Sequence, residues 1–561
     1  MSDLNQTSER LLRSAISRRN VLRGVGAAGA GVAAMAFGGG ISSASVAHGP
    51  DIDARFQDGT PVAGGVVTLL SDQEISGLSP ENSDVTVQFV AVVQLHNAVV
   101  EIDETLQYQP ILATELPSVS ADGTTYTITL RDDVTFQDGT KLTSADVKYT
   151  YDWVKNPDNA SISAANFEDV TSVEAPDDRT VVVTLAAPNA AFNARVGSQL
   201  ILPSAYHQQV GQEAYAQKPM GTGAFKVNEF RANEYTLLDA WDGHFRGRPM
   251  IDQLRIDVVP EPSVRAEALE NGEADNSIWQ LTPEDDERLS EDDRFNTYIQ
   301  LNFAVNHIVL NNTSPILSDK AVRQAMMWAI DRQVIADEIF LGQAELASSS
   351  LSPGTGDFYN PNVTQYSYDP DKAGQLLDGA GWTRSGDDTR TKDGQELTFT
   401  CYLKTGDAAR RSEAEVVQQY LADVGVRMEL QEAASTQILD QLPKGEIDAG
   451  LFNWTYGDGS DPDASSTLAS NGANNFSRFQ NPQVDDLLKQ GLAALTREER
   501  IPIYQQIQQI VSDEVPFLYV VYLKTATHYA NRVKGLPDPA TVLSTDDMYR
   551  KTYQWSVDPA T

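Results

Sequence analysis

The sequence predicts a mixed α/β protein divided into two or three domains, and three observations support this. At 561 residues and 61.2 kDa the chain is longer than one hydrophobic core usually organises. Runs that alternate apolar and polar residues stand beside runs with the period of amphipathic helices. Gly, Pro, Asn and Asp clusters punctuate them throughout.

The strand-like run "GGVVTLL" at 64–70 opens the ordered region. In "TTYTITLRDDVTFQDGTKLTSADVKYTYDWV", Tyr126, Ile128 and Leu130 alternate with Thr125, Thr127 and Thr129, the period of a half-buried strand. Asp138-Gly139 supplies a turn, and Thr143 stands three residues before Asp146 as in a capping box, so a helix carrying Val147, Tyr151 and Val154 follows. A second strand-rich region runs through "GTGAFKV", "EYTLLDAW" and "IDQLRIDVVP"; its GxG sits in strand context with no lysine-ended loop, which excludes a phosphate cradle. In "SDKAVRQAMMWAIDRQVIADEIF", Ser318 is placed to cap a helix whose inward stripe is Val322, Ala325, Met326 and Ala329. "DPDKAGQLLDGAGW" follows the same logic, with Asp369 as cap, Pro370 in the first turn and Gly381 as stop. Helix, glycine and strand succeed one another in "EAEVVQQYLADVGVRMELQ", and "NPQVDDLLKQ" and "RIPIYQQIQQIVSDEVPFLYVVYL" add two helices and a final strand.

The hydrophobic content of 41% with 8% aromatic residues is that of a globular protein, so the formal charge of −37 does not signify disorder. Its 79 acidic residues against 42 basic ones repel phosphate backbones, which excludes nucleic acid as a partner. The acids are dispersed and Lys is the minority of the basic residues. That pattern fits a surface kept hydrated in high salt, as in a halophile's protein, better than a cation-binding function. The single cysteine, Cys401, rules out an internal disulfide and a thiolate metal cluster, and its strand context reads as a small core residue. The six histidines, at 48, 96, 207, 244, 307 and 528, show no paired metal-ligand spacing. No cofactor is expected.

Near the N-terminus, Arg18 and Arg19 precede a Gly/Ala-rich apolar run at 24–37 and small residues up to Ala47. The order of charged, apolar and small segments resembles a twin-arginine signal peptide over 1–47, followed by a linker at 48–61. Export through the twin-arginine machinery is therefore expected, with the chain extracellular or associated with the cell surface. No cysteine follows the apolar run for lipidation, which leaves a free chain and an uncleaved anchor both open.

The run "YTITLRDDVTFQDGTKLTSADV" resembles the signature of the family 5 extracellular solute-binding proteins, the dipeptide, oligopeptide and nickel receptors of ATP-driven importers. Further landmarks follow in order: "MGTGAFKV", "LSDKAVRQAMMWAIDR", "YDPDKAGQLLDGAGW", "KGEIDAGLFNW", "NPQVDDLL" and "IYQQIQQIVSDEVPFLYVV". The resemblance implies a two-lobed periplasmic-binding-protein-like fold of three interleaved domains with a hinge. Domain I would comprise 62–100, 219–302 and 526–561, domain II 101–218 and domain III 303–525. It further implies a monomer that takes a peptide or other small solute and delivers it to the permease subunits of an ABC transporter in the membrane.

The stretch "NWTYGDGSDPDASS" at 453–466 places two aromatic residues before three carboxylates. The family's peptide receptors pair such an acid with the ligand's α-ammonium, and spacing to Pro462 assigns that role to Asp458, with Trp454 and Tyr456 as flat apolar walls. Counted from Trp454, the loop is one residue longer than the family pattern. Asp461 and Asp463, which flank Pro462, are expected to cap the turn. A calcium loop is disfavoured, because the twelfth position from Asp458 is Ala469 where such loops need Glu. The segment "SDQEISGLSP" and a helical "NFAVNHIVLNN" are expected to line the cleft by position, and Arg410 and Arg411 to begin a solvated helix. Sequons at Asn311, Asn362 and Asn475 would suit glycosylated surface loops.

Neither a Walker loop nor GxSxG nor HExxH occurs, so a binding protein rather than an enzyme is expected. The rival readings are a secreted hydrolase using paired carboxylates, a surface structural protein, and a receptor of the same fold for nickel chelates or sugars.

Overall fold

The computed structural model describes residues 63–82, 86–386, 388–457 and 460–558. The expected signal peptide and the whole of the linker lie outside them, as does Asp458.

An 11-stranded mixed sheet runs through most of the chain. In one half, Val66–Ser71 lies parallel to both Gln253–Val258 and Asn276–Ser277, and Tyr235–Ala240 and Phe225–Arg231 extend it antiparallel. In the other half, Thr398–Lys404 lies parallel to Arg427–Ala433 and Ala449–Trp454. Two long strands, Phe295–Leu310 and Phe517–Ala530, pair antiparallel with each other and join the halves. Their register breaks between Leu301 and Val305. A separate four-stranded antiparallel sheet contains Thr125–Thr129, where Tyr126 and Ile128 point inward as their alternation requires.

Three main apolar cores follow this division. Residues between Val99 and Ile201 pack one core over the four-stranded sheet. A second is assembled from three stretches of chain, 67–95, 224–298 and 529–557. The third and largest is built from 305–522. Gly221 and Gly223 let the chain return against the second core, since a Cβ would come within 2.1 Å of Leu95 O and 2.3 Å of Gln94 O respectively.

Helix starts with local cap chemistry fall where the sequence places them. Ser144–Lys155 begins with a capping box of Thr143 and Asp146. Pro370–Gly379 is capped by Asp369, whose carboxylate accepts from Lys372 N, and Gly381 follows at φ +88°. The stripe Val322, Ala325, Met326 and Ala329 is fully buried. Two expectations are corrected. The cap of Lys320–Ala329 is Asp319, not Ser318, because its carboxylate reaches Ala321 N at 2.9 Å. The segment expected as a helical "NFAVNHIVLNN" is instead mostly strand up to Leu310, paired on both sides and buried from Ala304 onward. With both faces covered it shows no alternation to betray it.

Cys401 is fully buried, and burial pushes its thiol pKa up. Asn311 and Asn475 are buried and their side chains donate to backbone carbonyls, so of these three sequons Asn362 alone is exposed. No helix among the described residues is long and apolar enough to cross a membrane.

Candidate functional site

The strand Ala449–Trp454 ends at the carboxyl edge of the parallel part of the sheet, where open α/β sheets hold their ligands. Along this strand and its neighbour Phe295–Leu310, successive side chains face opposite ways. Trp454 and Phe452 share one face with their cross-strand partners Val305 and His307. On the other face Asn453 Nδ2 donates to Asn306 Oδ1 at 2.6 Å, and Asn306 Nδ2 donates to Glu413 Oε2 at 3.2 Å.

The first face lines a small cavity of about 10 Å³ bounded by His307, Phe452, Trp454, Tyr456, Phe476 and Phe517 among others. Trp454 meets Phe476 edge to face with centroids 5.2 Å apart, and Tyr456 packs on Phe517 at 5.1 Å. Tyr456 is buried, its hydroxyl is bonded to His307 Nε2 at 2.9 Å, and burial holds its pKa well above the usual tyrosine value. Burial also depresses His307 to about 4, so its imidazole is neutral at pH 7. The cavity wall is thus aromatic and uncharged.

Beyond Tyr456 the loop turns tightly, because Gly457 sits where a Cβ would approach Pro462 C to 2.8 Å. Asp461 and Asp463 shape the turn, accepting from Asp463 N at 2.9 Å and from Ser465 N at 3.2 Å. Each also meets a guanidinium. Arg500 grips Asp461 through both terminal nitrogens at 2.7 and 2.8 Å with both side chains buried, and Arg195 pairs with Asp463. Burial works against the Arg500 charge, yet the bonds to Asp461 raise its pKa above the ordinary value. Arg410 and Arg411 lie at the start of the helix Ala408–Asp423 and pair with Asp407 and Glu432; Arg411 is exposed as expected of a solvated helix start, whereas Arg410 is half-buried with its Nε enclosed.

A family model described as bacterial extracellular solute-binding proteins, family 5 middle, matches residues 107–476, which include both the cavity strand and the acidic loop. The chain belongs to this family. Among family 5 relatives, protein XP55 of Streptomyces lividans is 28% identical over 515 residues, covering 90% of this chain and 91% of that one. The structure of the oligopeptide-binding protein AppA from Bacillus subtilis in complex with a nonapeptide superposes with a TM-score of 0.74 at 25% identity, over 89% of this chain and 100% of the other. NikZ from Campylobacter jejuni in complex with Ni(L-His) gives a TM-score of 0.74 at 26% identity, over 88% and 99%. These neighbours establish a two-lobed, periplasmic-binding-protein-like α/β fold for this family 5 chain.

The structure brings Trp454 and Tyr456 to one cavity, while Asp458 lies outside the described residues between the fixed points Gly457 and Asp461. "SDQEISGLSP" leaves the carboxyl end of the strand Val66–Ser71, and Ile75 from it is buried in the second core. Sequence reasoning missed His307, Phe476 and Phe517 as cavity walls. His307 had a signal, since it stands two residues from both Val305 and Val309 on one strand face. Phe476 and Phe517 reach the cavity only through tertiary packing.

Proposed function

We propose that this family 5 protein is the extracellular receptor of an ABC importer and captures peptides or similar small solutes by hinge closure. The observation that carries this reading is the family match across 107–476, which includes every cavity wall but Phe517 and the loop after the cavity strand. Support for peptides comes from the nonapeptide complex of the AppA neighbour. Asp458 is proposed to meet the ligand's ammonium, with Trp454 and Tyr456 as apolar walls beside it. A carboxylate in a water-excluded cleft rewards a cation and penalises its absence, so the same group gives affinity and selectivity. Binding energy then favours the closed lobes only to the extent that the ligand prefers them.

The neighbouring acids argue for a receptor over a carboxylate-pair hydrolase, because Asp461 and Asp463 are engaged by Arg500 and Arg195. The domain bounds 62–100, 219–302 and 526–561, then 101–218, then 303–525, are proposed on the strength of the three apolar cores. Export by a twin-arginine signal at 1–47, a salt-adapted surface, a monomeric state and delivery to a membrane permease complete the reading.

The NikZ likeness favours a second ligand class, a nickel chelate. Thermal-shift measurements with di- and tripeptides, neutral sugars and Ni(L-His), run in low and molar salt, separate the classes. A peptide at 100 times its Kd stabilises the fold by about 2.7 kcal/mol and raises the melting midpoint accordingly. Asp458→Asn should abolish the peptide shift and leave the unliganded midpoint in place. Shifts with sugars or Ni(L-His) alone would reject the peptide reading.

A further inference from the structure

We propose that domain II carries a charged latch onto domain III, formed by Arg195 and Asp463, which holds the lobes together independently of the paired long strands. The coupling of this latch to ligand capture rests on the receptor reading above. The existence of the latch does not.

Arg195 belongs to a turn anchored in the 99–201 core on both sides. Phe192 stacks on Tyr126 with centroids 3.9 Å apart and planes at 6°, and Val196 is buried in the same core. From this base Arg195 pairs with Asp463, 268 residues further along the chain. A backbone bond accompanies the ion pair: Ala190 N donates to Leu492 O at 2.8 Å. The neighbouring turn at Gly123 meets the same patch, since a Cβ there would lie 3.2 Å from Leu495 Cδ2.

The receiving side is equally fixed. Asp463 has a side chain only 4% exposed, and its Oδ1 caps the next turn by accepting from Ser465 Oγ at 2.5 Å. Two residues earlier, Asp461 is clamped by Arg500, whose Nε also donates to Gly491 O at 3.1 Å. Residues 461–463, 491–492 and 500 therefore form one block. A rigid cation meets a rigid, nearly buried anion.

That geometry makes the contact two-state. Withdrawing Arg195 leaves a desolvated carboxylate without its counter-charge, which is costly until the lobes part far enough for water to reach it. Intermediate openings are penalised, so the contact is either made or fully hydrated. Asp463 also shares a loop with the proposed ligand contacts, and Gly457 against Pro462 ties the two ends of that loop together. A ligand held against Trp454 and Tyr456 is thereby joined through Gly457 and Pro462 to the latch acid.

Single-molecule energy transfer between labels introduced as Ile162→Cys and Lys444→Cys tests this, both sites being exposed and Cys401 buried. Distances are read without solute and with trialanine. Arg195→Ala and Asp463→Asn should each shift the population towards the longer distance several-fold; Asn retains the cap to Ser465. Arg195→Lys should restore most of the short-distance population. The double variant should shift no further than the larger single, because one interaction is removed in each case. Distributions unchanged in both single variants under both conditions, or additive shifts in the double, overturn the latch. The solute-free measurement stands even where trialanine fails to bind, and a trialanine-induced shortening that survives both variants retains the receptor and rejects the coupling of the latch to capture.

Discussion

Two buried carboxylates in the same core are treated in opposite ways. Asp461 is gripped by the fork of Arg500, two charge-assisted bonds in a pocket that leaves each side chain 7% exposed. Glu413 is fully buried, its Oε2 accepts from Asn306 Nδ2 at 3.2 Å, and its Oε1 has no hydrogen-bond partner. Burial pushes Glu413 up to about 8, against the pull of Arg410, so it carries a proton at neutral pH. The difference teaches where this molecule keeps charge inside. Asp461 has a guanidinium in direct contact on both oxygens, whereas the one direct side-chain partner of Glu413 is a neutral amide.

The largest effect should come from breaking the paired site. Arg500→Ala strands Asp461 and is expected to cost about 3–5 kcal/mol in urea unfolding, with Arg500→Lys recovering only part because an ammonium lacks the fork. A loss below 1 kcal/mol would show that the pair is not what braces the loop.

Glu413→Gln sharpens the other half. The folded-state pKa lies above the unfolded value of about 4.5, so the folded protein binds this proton more tightly. Its contribution is full below about pH 4.5 and is lost as pH rises through 8. The variant should therefore gain on wild type from pH 5 to pH 9, by about 1–3 kcal/mol at the alkaline end, read from melting midpoints across that range. A constant difference would mean that Glu413 is not protonated in the fold. His307 behaves in reverse, adding stability above about pH 6.5 that fades towards 4, so the acid limb should survive in Glu413→Gln.

The smallest effect should come from a pair in water. Arg411 meets Glu432 with its own side chain 45% exposed, and Arg411→Ala is expected to change stability by no more than about 0.5 kcal/mol, fading further in high salt.

What the sequence disclosed and what it withheld divide along the same line of range. Caps that act within three residues, such as Thr143 with Asp146 and Asp369 with Lys372 N, were legible because their chemistry is local. Ser318 and Asp319 are adjacent and both able to cap, and only the final backbone path chose between them. The 302–310 segment was misread because a strand covered on both faces loses its period. The acids of the loop cap its turn as their places beside Pro462 suggest, but their guanidinium partners lie 39 and 268 residues away and leave no pattern in the chain. Trp454 and Tyr456 could be singled out by resemblance to a family, whereas the burial of the tyrosine hydroxyl against His307 needed the packed core.

The long strands Phe295–Leu310 and Phe517–Ala530 pass side by side between the second and third cores, with their pairing open over 302–304 and shifted again between Asn306 and His307. A lone connecting strand would act as a swivel and leave three rotations free. Two strands bonded edge to edge resist torsion about their length and yield most easily where the ladder is broken. Residues 302–304 are therefore the place between the two cores where this ladder resists least.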